Sequence, residues 1–334
     1  MKRIIWLPIL AIALLGCQQQ AIEEPQPHME EEEMIQTLNI PEDEFRFVAG
    51  WFDEQTIGFV VHQENENHVQ AFNIVTGEIK TLYTDSAIIS DVLIHRSSQE
   101  FLVKTSNNST EAIIILFTKN AEIIDELVIE SSELEINWNP ADTSKLLLSA
   151  FAEDWSYETY MYDSKKQEIT QLALSDPFPK WLGEDAIVYK EDSTIVKELL
   201  VTNDKILLAS DVTQFFASST QLLLEQPEGE TKRYKVLDAE GKELYTWVLG
   251  NPAQAAVHAE MLDDEMIVMS TADQTSSMPT IFLHQLHSGD EVEKYEIEGE
   301  LMSCNSTDRC LTGNRLETMI QLETGEKMEW LVSK

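Results

Sequence analysis

The chain has 334 residues, of which 60 are Asp or Glu and 23 are Lys or Arg, so its formal net charge is −37. A charge of this sign and size repels nucleic acid, anionic lipid headgroups and anionic polymers. The composition therefore argues against a polyanion-binding protein, and we expect no nucleic acid partner. The acidity is typical of external proteins at high pH or high salt, and it also suits attraction of cations or a basic partner.

The first 16 residues have the pattern of a secretory signal peptide. Two basic residues precede an apolar run of 12 residues, Ile4 to Leu15, which is shorter than the roughly 20 residues that a membrane-spanning helix needs. The run ends at Leu14-Leu15-Gly16-Cys17. This resembles a bacterial lipobox, in which the cysteine receives a diacylglycerol thioether and the peptide is cut just before it. We predict residues 1–16 as a lipoprotein signal peptide and Cys17 as the lipidated residue; the alternative is an ordinary secreted protein.

Residues 17–33 contain two prolines and two acidic runs but no apolar periodicity. Such a segment cannot bury enough apolar surface to fold. We predict a flexible acidic tether between the lipid anchor and the rest of the chain. A metal-binding or partner-binding role for the run from Glu30 to Glu33 is the alternative.

From residue 34 onward the chain is a degenerate repeat. An aromatic or apolar residue is followed by a short polar turn and then by an apolar run. The seven copies start at Trp51, Ile94, Trp138, Trp181, Phe216, Met261 and Met302. A second hairpin follows each copy, with its turn at Thr76-Gly77 in the first and at Thr324-Gly325 in the last. Six intervals separate these turns, and the resulting period of about 41 residues is typical of a four-stranded propeller blade.

We therefore predict that residues 34–334 form one all-β domain, a β-propeller of four-stranded blades. The repeat count favours seven blades, with six as the alternative, and another all-β repeat or a β-sandwich is the alternative architecture. Each copy supplies the innermost strand, a turn and the second strand of a blade. The segment from Met34 to Ile40 is a candidate strand for closing the ring. Trp51, Trp138 and Trp181 occupy equivalent positions, which indicates packing between blades in preference to a ligand cage.

Cys304 and Cys310 lie six positions apart, on either side of the turn in the last repeat. Export to an oxidising compartment permits a disulfide. We predict that the two residues are bonded and stabilise the blade that closes the ring. A redox pair or a metal site is the alternative, although a redox pair usually has Cys-X-X-Cys spacing and zinc would need two more ligands.

Motifs for catalysis are nearly absent, since the sequence has no Gly-rich phosphate loop and no Gly-x-Ser-x-Gly motif. We expect no cofactor and no metal. His284 and His287 would point to opposite faces of a strand, so they would not share a metal. Asp263-Asp264-Glu265 is interpreted as a solvated turn. The run from Glu153 to Tyr157 combines acidic and aromatic residues after an inner strand, a combination that suits sugar or peptide binding at a propeller rim.

The lipobox, the acidic tether and the degenerate repeats with turns such as Asn139-Pro140-Ala141-Asp142 resemble the YqgU-like propeller lipoproteins of Gram-positive bacteria. That family's domain is described as six-bladed, and the resemblance implies a lipid-anchored protein on the extracytoplasmic face of the cell membrane. The family offers no catalytic residues to transfer. The Asn-Pro-Ala-Asp turn also resembles that of TolB-type propellers, which bind protein partners in the envelope.

Two classes of function follow. We favour a non-catalytic binding or scaffolding module for a protein, peptide or small ligand of the cell envelope. The alternative is an envelope hydrolase or lyase that acts on glycans with acidic residues in the central channel. Inner-strand acids that meet at one mouth of the channel would favour the enzyme, whereas an apolar channel would favour the binding module.

Overall fold

The computed structural model describes residues 34–249, 254–263, 265–273, 280–288, 290–305 and 308–333. The fold described below belongs to the compact unit Ile35–Lys334. The predicted signal peptide, Cys17 and the tether lie outside the described residues. All regular secondary structure in the described ranges is β-strand. The same ranges contain no helix that is long and apolar enough to cross a membrane.

Seven four-stranded antiparallel sheets account for most of the described strands, and each sheet is built from four strands that are consecutive in sequence. β1 (Leu38–Ile40) precedes the blades. The first blade consists of β2 (Phe45–Trp51), β3 (Thr56–Gln63), β4 (Glu66–Asn73) and β5 (Ile79–Asp85), and the second of β6 (Ile88–His95), β7 (Glu100–Asn108), β8 (Glu111–Phe117) and β9 (Ile123–Glu130). The third blade consists of β10 (Glu133–Trp138), β11 (Lys145–Phe151), β12 (Tyr157–Asp163) and β13 (Glu168–Leu172), and the fourth of β14 (Lys180–Trp181), β15 (Ala186–Glu191), β16 (Thr194–Leu199) and β17 (Asp204–Ala209). The last three blades are β18 (Gln214–Ala217), β19 (Gln221–Glu228), β20 (Thr231–Asp238) and β21 (Glu243–Leu249); β22 (Gln254–Met261), β23 (Met266–Asp273), β24 (Ile281–His287) and β25 (Asp290–Ile297); β26 (Leu301–Cys304), β27 (Arg309–Gly313), β28 (Thr318–Gln321) and β29 (Lys327–Glu329).

The blades form a closed ring around a central channel. The first strand of each blade is innermost, and β2 of the first blade contacts both β6 of the second and β26 of the seventh. The predicted β-propeller is therefore confirmed. The repeat count of seven is also confirmed, since the last repeat forms a sheet of its own.

A separate parallel strand pair joins the two ends of the domain. β1 pairs with β30 (Leu331–Ser333), with Leu38 opposite Leu331. The Leu38 N–H also donates to the carbonyl oxygen of Trp330 at 2.7 Å. The fully buried Trp330 ring stacks on Phe72 of the first blade, with ring centroids 6.2 Å apart. The predicted closing strand is thus confirmed for Leu38–Ile40, and it ends where Pro41 interrupts strand pairing.

The turn between the first and second strands of a blade is made by local hydrogen bonds, which are clearest in the third blade. β10 ends at Trp138, which pairs with Leu146 of β11. Between them, the Asn139 side-chain oxygen accepts the N–H groups of Ala141 and Asp142 at 2.8 and 3.1 Å. Such Asx turns replace the hydrogen bonds of regular structure with side-chain acceptors. The Asn-Pro-Ala-Asp sequence therefore reverses the chain between the innermost and second strands.

The apolar core lies between blades, so the second strand of a blade is covered on both faces. Successive side chains of β11 alternate between two clusters. Leu146 and Leu148 pack with Leu102 of the second blade, whereas Leu147 packs with Trp181 of the fourth. This arrangement explains why the second strands are continuous apolar runs and do not alternate with polar residues.

Cys304 and Cys310 are directly opposite each other on β26 and β27 and form a disulfide. Both residues are fully buried. The predicted pairing is therefore present, and it lies in the blade that meets the first blade where the ring closes.

Candidate functional site

The two ends of the ring carry different turns. Because neighbouring strands of a blade are antiparallel, the turn between the first and second strands lies at one end and the turn between the second and third at the other. Asn139 to Ser144 belongs to the first end, which we call the channel-mouth end. Ala152 to Ser156 belongs to the second, which we call the opposite end.

A cavity of about 620 Å³ opens at the channel-mouth end. It lies where the innermost strands of the second, third, fifth and sixth blades finish. We call it the mouth cavity, and its walls are Leu93–Ser97, Ile136–Trp138, Pro140, Ser218, Ser219, Met261 and Leu262. Seven of these thirteen wall residues are apolar and six are polar or charged. The volume is within the range of ligand sites, which combine apolar surface with polar groups that orient the ligand.

One ion pair stands at the edge of the mouth cavity. Arg96, in the turn after β6, donates from Nη2 to Glu260 Oε2 on β22. Glu260 Oε1 accepts the backbone N–H of Cys304 at 3.1 Å and lies 3.4 Å from His258 Nε2. Burial alone would raise the pKa of Glu260, but Arg96 and His258 reverse the effect and hold that pKa below its usual value. The carboxylate is therefore ionised and committed to these partners.

Arg96 itself remains accessible, with 42% of its side chain exposed. A guanidinium has five N–H donors, and the hydrogen bond described for Arg96 uses one of them, on Nη2. The Glu260 contact therefore fixes the position of the side chain through one of these donors. The mouth cavity thus combines apolar walls with one oriented cation.

The three equivalent tryptophans pack between blades, as predicted. Trp51 and Trp181 are buried, and their indole N–H groups donate to carbonyl oxygens of the preceding blade, Ser303 at 3.0 Å and Asn137 at 2.9 Å. Trp138 packs edge-on against His95 of the second blade, with ring centroids 5.3 Å apart. Unlike the other two, Trp138 is partly exposed and also lines the mouth cavity. The repeat pattern in the sequence did not predict that Trp138 lines a cavity.

The two histidines of β24 are separated, as the strand geometry predicted. His284 is fully buried and lies 2.8 Å from the Thr271 hydroxyl and 3.5 Å from Glu291. Burial lowers the pKa of His284, so the ring is neutral. His287 is half exposed and faces Glu265 at 3.2 Å.

The acidic turn of the sixth blade has a structural role. The Asp263 side chain accepts the N–H groups of Glu265 and Met266 at 2.8 and 2.7 Å, which closes the turn between β22 and β23. Asp264 lies outside the described residues. Across the described ranges, no group of three or more His, Cys, Asp and Glu residues has the geometry to hold a metal ion.

Three acids of the innermost strands, Asp91, Glu133 and Glu260, lie towards different ends of the channel. Burial raises the pKa of Asp91 on β6, and the nearby Lys104 opposes that shift. Lys104 in turn binds Glu133 at 3.1 Å, at the start of β10 and therefore towards the opposite end. Glu260 lies near the end of β22, at the channel-mouth end. Asp91 and Glu133 are thus near each other towards the opposite end, apart from Glu260 at the mouth cavity.

The predicted rim segment from Glu153 to Tyr157 forms the turn between β11 and β12 and the start of β12. It lies at the opposite end of the ring, away from the mouth cavity. Trp155 at its centre is 74% exposed.

The comparisons with known proteins agree with this architecture. The sequence model of the YqgU-like 6-bladed beta propeller domain matches residues 73–255, more than half of the chain. The uncharacterized lipoprotein YqgU of Bacillus subtilis (strain 168) is 25% identical over 188 residues, which cover 56% of this chain and 53% of that protein. The chain thus aligns with about half the length of this curated relative.

Solved structures share the fold at low sequence identity. The uncharacterized protein lmo1340 from Listeria monocytogenes EGD-e superposes with a TM-score of 0.79 at 13% identity, covering 90% of this chain and 98% of that one. The propeller domain of the Trilobed protease from Pyrococcus furiosus has a TM-score of 0.56 at 13% identity, covering 85% and 98%. The family match begins at the end of β4 and stops within β22, so it contains neither the first nor the last blade in full. The chain belongs to the YqgU-like β-propeller family, and its own ring has seven four-stranded blades.

Proposed function

We propose that this protein is a membrane-anchored, extracytoplasmic binding module whose mouth cavity takes an apolar ligand that carries a carboxylate, such as the C-terminus of a peptide. The observation that carries the proposal is the position of Arg96, held by Glu260 at the edge of an apolar cavity of about 620 Å³. A guanidinium binds a carboxylate through paired N–H donors, and apolar walls accept the adjoining side chain.

The anchor is proposed to be a lipid on Cys17. The lipobox pattern at Leu14 to Cys17 supports it, and so does the name of the Bacillus subtilis relative, which is a lipoprotein. The acidic segment 17–33 would then act as the tether. The strong negative charge of the chain suits an external protein, because it favours solubility and limits adhesion to anionic envelope polymers.

At the mouth cavity, a binding role is favoured over glycan cleavage by the state of Glu260. A general acid must hold a proton near neutral pH, which requires a raised pKa. The pKa of Glu260 is lowered instead, and its oxygens are occupied by Arg96, His258 and the Cys304 N–H. This carboxylate therefore orients Arg96.

The test uses the chain from residue 34 and two probe tripeptides, Ala-Ala-Phe with a free carboxylate and the same peptide with a C-terminal amide. Isothermal titration calorimetry should show binding of the free acid and at least tenfold weaker binding of the amide. Arg96→Gln should remove the difference between the two. Arg233→Gln is the matched control, because Arg233 is also about 40% exposed and also paired with a glutamate, but lies away from the mouth cavity. Equal affinity for the two peptides, or discrimination that survives Arg96→Gln, would contradict the proposal.

A further inference from the structure

The opposite end of the ring carries an exposed tryptophan, Trp155, which lies outside the core. Trp155 is 74% exposed, and its backbone has a φ of 64°, in the left-handed region that bulky residues rarely adopt. Two sets of hydrogen bonds hold it there. The Trp155 N–H donates to the Ala152 carbonyl at 3.0 Å, and Asp154 accepts the Ser156 N–H at 3.0 Å and its hydroxyl at 2.6 Å. These hydrogen bonds hold the backbone of the turn, which carries the indole on the surface.

A second exposed ring packs on the same buried residue as Trp155. Phe178, from the segment between β13 and β14, is 50% exposed. Both Trp155 and Phe178 pack on the buried ring of Phe151, with centroid distances of 6.1 and 5.9 Å. The two exposed rings thus come from separate segments and share one support. We call Phe151, Trp155 and Phe178 the aromatic platform.

A cavity of about 530 Å³ adjoins the aromatic platform between the second and third blades. Its walls combine hydroxyl groups with carboxylates. The wall residues that supply them are Thr110, Glu130, Ser131, Ser132, Glu153, Ser156, Tyr157 and Glu158.

Most of these wall groups offer acceptors. Carboxylates only accept hydrogen bonds. The Thr110 and Ser156 hydroxyls already donate, to Asn108 and Asp154, and so retain only acceptor capacity. A ligand that fits must therefore bring donors to the cavity and flat apolar faces to the platform.

We propose that the aromatic platform and the adjoining cavity bind a neutral glycan. A sugar ring has one face of C–H groups that stacks on an aromatic ring, and its hydroxyls donate to carboxylate and hydroxyl oxygens. Two exposed rings on a common support favour a ligand with successive flat faces over a single cationic side chain, which needs only one ring. The carboxylates and the net charge of −37 repel acidic polysaccharides, so the glycan is uncharged.

This site is independent of the mouth cavity, because it lies at the other end of the ring and shares no wall residue with it. A chain with both would hold one ligand at each end. The glycan site also requires no catalysis, since it positions a polymer by stacking.

The experiment measures binding of three uncharged probes, cellohexaose, chitohexaose and maltohexaose, to the chain from residue 34 by calorimetry. At least one probe should bind, and Trp155→Asn should weaken that binding at least tenfold; asparagine tolerates the left-handed backbone, so the turn is preserved. Phe178→Ala should weaken it less. Val201→Ala, which changes an exposed apolar residue of the fourth blade, is the control and should bind as the parent does. Melting temperatures should match among all variants.

Three results would overturn the inference. The first is the absence of binding to all three probes at millimolar concentration, and the second is glycan binding that Trp155→Asn leaves intact. The third is binding of a lysine hexapeptide, lost in Trp155→Asn, without binding of any glycan; that result would assign the platform to a basic peptide.

Discussion

Arg96 in the second blade and Glu260 in the sixth form a salt bridge between blades that are not neighbours in the ring. Because Glu260 also accepts the N–H of Cys304 in the seventh blade, one carboxylate connects three blades. The contact at the edge of the mouth cavity therefore holds Arg96, the proposed ligand-binding cation, and links the second, sixth and seventh blades.

Stability should fall at acid pH partly through Glu260. Its folded pKa is lower than the ordinary value of 4.5, so the ionised form contributes stability that is complete above pH 4.5 and is lost as the pH falls through the folded pKa. Glu260→Gln lacks this proton linkage. Urea unfolding at pH 7, 5, 4 and 3.5 should show a difference between parent and variant that shrinks below pH 4.5. A difference that is constant over this range would show that Glu260 does not titrate as described.

Glu225 should be the most sensitive carboxylate in the ring. It is almost completely buried and accepts hydrogen bonds from Lys232 at 2.8 Å, Tyr234 at 2.8 Å and the Ala256 N–H of the next blade at 3.0 Å. Removing one partner of a buried charged network typically costs about 3–5 kcal/mol. Glu225→Ala should therefore lower the free energy of unfolding by about that amount.

The control for Glu225 is Glu228→Ala on the same strand, where the carboxylate is 39% exposed and paired with Arg233. An exposed pair of this kind contributes about 0–1 kcal/mol. Equal effects of the two substitutions in urea unfolding would contradict the role assigned to the buried network.

The disulfide between Cys304 and Cys310 should add modest stability. It closes a loop with a sequence separation of 6, for which restriction of the unfolded chain gives about 2–3 kcal/mol. The double variant Cys304→Ser/Cys310→Ser should melt several degrees lower. Intact-mass measurement after alkylation checks the bond itself, and two free thiols in freshly exported protein would exclude it.

Truncation of the last blade should destabilise the whole ring. A chain that ends at Ser303 lacks most of the seventh blade, Trp330 and β30, so the faces that they cover on the first and sixth blades become exposed. We expect a loss of cooperative unfolding in calorimetry. The matched control removes residues 1–33 and should keep the melting temperature of the full chain. An unchanged transition in the Ser303 truncation would indicate an open array of blades.

Cys17→Ala should release the protein from membranes or block its processing. The lipid on this residue is the proposed anchor, and stable attachment of a lipidated protein requires acyl chains. Fractionation of host cells followed by a carbonate wash measures the effect. Substitution of Cys304 and Cys310 is the control, because these cysteines are buried in the ring. A Cys17→Ala protein that still sediments with membranes would contradict the lipobox interpretation.

The blades could be predicted from the sequence because each is made of consecutive strands with local turns. Turn residues such as Asn139 act on their nearest neighbours, so the repeat is visible in the chain itself. The disulfide was predictable for the same reason, since the two cysteines face each other across one turn.

The candidate sites were harder to predict from the sequence because their residues are far apart in the chain. Arg96 and Glu260 are 164 positions apart, and they meet only because the ring brings the second and sixth blades to the same side of the channel mouth. The Glu153–Tyr157 run was recognised as a rim segment, but its ring partner Phe178 comes from another loop and has no sequence periodicity. Contacts made by irregular segments around a ring leave no pattern in the chain.

The parallel pair of β1 and β30 has a consequence for synthesis. Every blade can form as its four strands emerge, but the strand that covers the first blade comes from the last residues of the chain. A growing chain therefore keeps an open apolar face on the first blade, including Phe72, until Trp330 becomes available. Exposed apolar surface and unpaired strand edges promote aggregation during folding. The first blade is thus most open to aggregation in the interval before the C-terminal residues pack on it.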